Sequence, residues 1–143
     1  MFRFLKRVCG FLILLLVAYQ AFVIHHNVQR VLAYKPIVEK TLAENDTKAN
    51  VDLVLAMIYT ETKGGEADVM QSSESSSGQK NSITDSQASI EYGVSLLSHN
   101  LALAEEAGVD SWTAVQAYNF GTAYIDYVAT VSYTHLRAHE TSL

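Results

Sequence analysis

Between Val51 and Ile58 the chain carries one charge, Asp52, and the other seven residues are apolar. A helix built from this run is apolar nearly all round, so other helices must surround it. Val54, Ile58 and Glu61 are spaced by four and three residues and share one helical face. That spacing carries a carboxyl group to the end of a core helix, where Gly64 and Gly65 stop it. Burial disfavours the charged form of a carboxyl group, so Glu61 in that place keeps its proton to a higher pH than free glutamate and is suited to act as a general acid near neutrality. The alternative is a frayed helix end at which Glu61 is exposed or paired with Lys63 and does no chemistry.

A chain of 143 residues allows one domain and little more, and 49% hydrophobic residues with 17% charged and a single proline suit a mostly α domain joined to an apolar anchor. Arg3, Lys6 and Arg7 precede Val8–Ile24, an uncharged run of 17 residues at the short end of a bilayer span. The basic flank places the N-terminus in the cytoplasm and the rest outside. A cleaved signal peptide has the same order, but Tyr19, Gln20 and Phe22 end the run and no small-x-small cleavage site follows. Residues 1–26 are therefore expected to be the cytoplasmic flank and membrane anchor, with secretion after signal cleavage as the alternative. Cys9, the sole cysteine, opens the run, which excludes an internal disulfide and does not fit a lipoprotein cysteine. From His25 to Thr130 there are 6 Lys and Arg against 14 Asp and Glu, a net charge of −8 that argues against nucleic acid as a partner.

Residues 27–48 read as a stalk or first helix that Pro36 breaks or restarts, and Asn45, Asp46 and Thr47 are cap candidates for the helix carrying Glu61. Ser72 to Ser82 is rich in serine, contains Gly78 and Asn81, and has no period, so it reads as a loop beside the candidate acid. Asp85 or Ser86 then caps a helix with apolar residues at Ile90, Val94, Leu97, Leu101 and Ala104, ended by Gly108. Asp110 and Ser111 open a short helix with Trp112, Val115 and Tyr118, closed by Gly121, and Trp112 is expected in the core. A last amphipathic piece brings Tyr124, Ile125 and Val128 to one side. His135 and His139 are four apart, the spacing of a shared ion on a helix, but Val131–Thr141 resembles the translation of a transposase-type sequencing-library adaptor. Residues 131–143 are accordingly expected to be foreign, and the domain at 49–130 to be incomplete.

Three blocks, in order, carry a resemblance. They are Glu61-Thr-Lys-Gly-Gly65, then Asp68-Val-Met-Gln71 running into Ser72-Ser-Glu-Ser75, then Ala117-Tyr-Asn-Phe-Gly121, with Ser89-Ile-Glu-Tyr-Gly93 between the last two. Together they resemble the goose-type lysozyme and soluble lytic transglycosylase superfamily, within it the lysozyme-like domains of Gram-positive cell-wall hydrolases of the CwlT and pneumococcal-vaccine-antigen type. The likeness implies a mostly α (α+β lysozyme-like) fold, with the serine-rich loop near the site as a small hairpin and the helix at Ser89–Gly93 bracing it. Lys63 before the glycines departs mildly from the pattern.

The resemblance further implies that the substrate is the peptidoglycan glycan strand, cut at the N-acetylmuramic acid to N-acetylglucosamine β-1,4 bond. Glu61 would protonate the departing oxygen, and Asp68 would remain ionised to position water or stabilise positive charge. Glu66 and Glu74 are alternates to Asp68, which is otherwise a surface aspartate in a turn. Gln71, Ser72, Ser73, Tyr118 and Asn119 offer neutral groups to sugar hydroxyls and acetamido groups, or else satisfy caps and loops. Met70 is expected to pack. No metal or cofactor is implied. Water attack would make the chain a muramidase, and attack by the muramyl 6-hydroxyl a lytic transglycosylase with 1,6-anhydro ends. A non-catalytic membrane-anchored wall-binding module is the competing class.

Overall fold

The computed structural model describes residues 2–140 except 74, 76, 77, 80 and 81, and no side chains at 2 or 133–140. The regular elements among the described residues are α-helices: α1 (Phe2–Leu32), α2 (Lys35–Glu44), α3 (Val51–Glu61), α4 (Ser86–Glu106), α5 (Ser111–Phe120) and α6 (Ala123–Glu140). No strand occurs among them, and the expected hairpin falls partly on residues outside the description.

Helix α1 is 31 residues long, about 46 Å at 1.5 Å per residue. It is long and apolar enough to cross a membrane, and no residue of its most apolar window is buried against the rest of the chain. Its last turn behaves differently, because Val31 enters the core. Two turn residues follow, and α2 restarts with Pro36 in its first turn, where a missing N–H costs nothing. Val38 and Thr41 of α2 are also buried, so residues 27–48 contribute to the same core as α3.

The hydrophobic α3 buries Val54, Leu55, Met57 and Ile58. Its cap is Asn50, whose side chain accepts from the Leu53 N–H at 2.9 Å. The expected cap at Asn45–Thr47 is thus displaced towards the helix. The Thr47 hydroxyl instead accepts from the Ala49 N–H and shapes the approach. Helix α3 packs on α1 and α2, α2 also packs on α4, and α5 and α6 pack on α4 and on each other. Ile90, Val94, Leu97, Leu101 and Ala104 of α4 are all buried, as their spacing predicts, and Asp85 and Asp110 cap α4 and α5. Buried Asn100 ties α4 to the next corner, its Nδ2 donating to the Ala114 carbonyl and its Oδ1 accepting from Thr122.

The segment read as adaptor-derived continues α6 as far as Glu140, and the His135 and His139 side chains lie outside the described residues.

Candidate active site

The site begins where α3 stops. Thr62 follows Glu61, its N–H still bonded to helix carbonyls, and then Lys63 (φ 54°) and Gly64 (φ 66°) both take the left-handed conformation and reverse the chain. Gly64 is buried under the end of α1: a Cβ there would meet Tyr34 at 3.2 Å and Val31 at 3.4 Å. The Thr62 hydroxyl donates to the Val69 carbonyl at 2.9 Å and accepts from the Gly64 N–H. This pair of bonds folds Asp68–Gln71 back against the helix that carries Glu61.

Asp68 is 3% exposed. Its carboxylate accepts from the N–H groups of Ser72 and Ser73, both at 3.0 Å, and from the hydroxyls of Ser72 (3.3 Å), Ser89 (2.6 Å) and Ser73. Burial alone would raise its pKa, but the donors on Ser73, Ser89 and Ser72 outweigh burial and hold the carboxyl below its usual range. Ser89 also accepts from the Met70 N–H at 3.0 Å, and the Met70 carbonyl accepts from the Tyr118 hydroxyl at 3.0 Å. The loop, α4 and α5 are therefore joined through one polar cluster. Burial pushes the Tyr118 hydroxyl above the usual tyrosine range, and the charges of Glu61, Asp68 and Tyr92 push it further, so it is a fixed donor at all ordinary pH.

Gly93 of α4 makes this junction possible. A Cβ there would lie 2.6 Å from the Met70 sulfur and 2.8 Å from the Tyr118 hydroxyl. Gly93→Ala should cost about 1–3 kcal/mol of stability by overpacking, read as a lowered urea midpoint at unchanged slope.

Glu61 stands half-buried at the edge of a cleft of about 190 Å³ between α3 and α5, lined also by Ala56, Thr60, Trp112, Val115 and Asn119. Burial raises its pKa, and a hydrogen bond from the Asn119 side chain offsets part of the rise. A carboxyl so placed keeps its proton to a higher pH than free glutamate does.

The structure thus brings together Glu61, Asp68, Tyr118 and Asn119. Asn119 is exposed in the cleft, and Gln71 is exposed with φ 48°. Ser72 and Ser73 face inward to Asp68, and Tyr118 is buried. Met70 is fully buried, as expected for a packing residue. Glu66 is exposed to solvent, and Glu74 lies outside the described residues. Trp112, expected in the core, is instead 68% exposed over the cleft. The α5 face turned to α4 is made by Thr113, Ala114, Ala117 and Tyr118, which leaves the indole outside. Sequence reasoning also passed over Ser89 as a partner of Asp68. Its signal was available: Ser89, Gly93 and Leu97 recur every four residues, so the hydroxyl lies on the buried face of α4. Among the described residues no group of His, Cys, Asp and Glu is placed to hold a metal ion.

Comparison with known proteins agrees with this architecture. The chain is 92% identical over 129 residues to the pneumococcal vaccine antigen A homolog of Streptococcus pyogenes serotype M3, an overlap of 90% of this chain and 64% of that protein. It therefore spans about 64% of the length of that relative. It is 38% identical over 95 residues to the bifunctional muramidase/DL-endopeptidase CwlT of Bacillus subtilis, covering 66% of this chain and 28% of CwlT. The crystal structure of a protein of the NLP/P60 family from Staphylococcus aureus, described as similar to lipoprotein, superposes with a TM-score of 0.68 at 38% identity, over 71% of this chain and 34% of the other. Residues 28–142 match the family described as lysozyme-like, from the last turns of α1 through α6, and the chain belongs to that family.

Proposed function

We propose that the protein cleaves the glycan strand of peptidoglycan at the β-1,4 bond between N-acetylmuramic acid and N-acetylglucosamine, with Glu61 as general acid. The observation that carries this reading is a carboxyl group with a raised pKa at the edge of a mostly apolar cleft, hydrogen-bonded by a neutral amide. Protonating the leaving oxygen as an oxocarbenium-like centre develops is the task such a group suits. Asn119 orients the acid, and Gln71 lies at the surface near the loop.

Asp68 stays ionised in this reading, but a carboxylate offers about four lone-pair positions, and two N–H and three O–H groups already converge on it. It acts as a positioning residue that fixes the loop behind Glu61. That saturation favours a second outcome, internal attack by the muramyl 6-hydroxyl to give 1,6-anhydro ends, because hydrolysis by either two-carboxylate route needs a second free carboxylate. The apolar α1 acts as a membrane anchor with the domain outside. Support comes from its helical continuity into the core at Val31.

Mass spectrometry of muropeptides released from purified peptidoglycan tests the proposal, with Glu61→Gln as control. Products that depend on Glu61 are expected; reducing ends mean a muramidase and anhydro ends a lytic transglycosylase. A folded protein that binds the glycan without cutting it would be a wall-binding module. Asn119→Ala removes a hydrogen bond that lowers the Glu61 pKa, so the alkaline limb of the pH–rate profile should move to higher pH.

A further inference from the structure

Trp112 is the chain's only tryptophan, and 68% of it is exposed although it stands one residue into α5 beside apolar neighbours. It shares a face of α5 with Val115 and Asn119, at i, i+3 and i+7. Opposite that face, α3 presents Leu53, Ala56 and Thr60. The Glu61 cleft does not end at the indole. A second hollow of about 380 Å³ shares Leu53, Ala56, Trp112 and Val115 with it and runs on to Asn50 and Ser111. The two form one groove between α3 and α5, with Glu61 and Asn119 at one end. Among the described residues, the only charged side chain lining either hollow is that of Glu61.

We propose that this groove is a saccharide subsite in which the exposed indole of Trp112 stacks on a pyranose ring of the glycan strand. The assignment rests on the glycan-cleaving reading of Glu61 and names where the strand lies. A pyranose ring has an apolar face of C–H groups edged by hydroxyl and acetamido groups. The groove offers the matching surfaces: an indole and aliphatic floor, with the neutral polar groups of Asn50, Ser111, Thr60 and Asn119 along its rims. The two hollows carry no cation to meet a carboxylate of a peptide stem, and Lys48, in the hollow beyond Asn50 and Ser111, is paired with Glu105, so the chemistry favours the sugar backbone. Seven residues of α5 separate Trp112 from Asn119, about 10.5 Å along the axis, which is longer than one pyranose ring. The indole therefore holds a sugar beyond those joined by the bond at Glu61.

The single tryptophan supplies its own reporter. In the 143-residue Glu61→Gln chain, titration with the N-acetylglucosamine hexamer should shift Trp112 emission saturably to the blue, whereas the disaccharide should have little effect. Trp112→Ala should weaken hexamer binding, followed by calorimetry, by about tenfold, and Trp112→Phe should restore most of it, with thermal unfolding unchanged in both. Binding of the hexamer with silent tryptophan emission overturns the proposal. Emission of a buried indole in the free protein also overturns it, since the groove would then be covered. The two readings fail separately: a hexamer-induced shift without cleavage by the wild type removes the enzyme and keeps the subsite. Cleavage with an unchanged KM in Trp112→Ala does the reverse.

Discussion

Asp68→Ala is expected to destabilise the domain by about 3–5 kcal/mol, because several buried neutral donors lose the charged acceptor they share, at about 1–3 kcal/mol for each one left unsatisfied. That is a large part of the about 5–15 kcal/mol that holds a typical domain together. The substitution removes the acceptor on which two N–H and three O–H groups converge; the Ser72 hydroxyl keeps the Ser89 carbonyl at 3.2 Å, and relaxation or entering water relieves part of the remaining cost. The loss is not confined to the loop, because Ser89 and Tyr118 tie the same cluster to α4 and α5. Urea unfolding followed by circular dichroism reads the effect, and an unchanged midpoint would show that the cluster contributes nothing. Asp68 also predicts an acid sensitivity. Its pKa is depressed in the fold, so its stabilisation is present above the unfolded carboxyl pKa of about 4 and is lost as pH falls through the lower folded value. Asp68→Asn should flatten the stability profile in that acid range.

Glu61→Gln should lower the rate of glycan cleavage by about 10²–10⁴-fold, the span attributed to a positioned general acid, while leaving glycan binding intact. Because the protonated form does the work, the wild-type rate should fall as pH rises through the raised pKa of Glu61. Stability moves the other way from that of Asp68. A carboxyl whose pKa is raised by folding contributes stability below its unfolded pKa and loses that contribution as pH passes the folded value. The glutamine, which never ionises, should therefore leave the domain at least as stable as wild type at neutral pH. A variant that is both inactive and clearly less stable at pH 7 would mean that Glu61 is part of the scaffold.

The residues that were legible in the sequence are those whose neighbours along the chain decide their place. Val51–Glu61 ends just before the expected Gly64, although Lys63 and not Gly65 is the second left-handed residue there; Pro36 restarts a helix, and Asp85 and Asp110 cap the helices they precede. Residues placed by contacts across the chain were not legible. A serine-rich stretch looks alike whether its hydroxyls face a sugar or a buried carboxylate, and only the fold-back at Thr62 turns Ser72 and Ser73 inward. Trp112 shows the same limit. Its spacing fits the helix face, but exposure depends on how far apart α3 and α5 stand, which periodicity along one strand of sequence does not contain.

Helix α1 runs unbroken from Phe2 to Leu32, and its last residues reach the turn behind Glu61: Tyr34 donates to the Gly64 carbonyl at 3.5 Å and Val31 and Arg30 border Gly64 and Gly65. The apolar run and the cleft therefore share one rigid axis, and the direction in which the cleft opens is a matter of helical phase. Inserting one residue between His26 and Arg30 would swing the domain by about 100° and advance it by about 1.5 Å relative to the apolar run. Inserting four would advance it by about 6 Å and bring it back to within about 40° of its original facing. Seven residues separate Ile24 from Val31, so the acid's turn sits about 10 Å past the end of the apolar segment. Both its height and its heading are written in the number of residues along that helix.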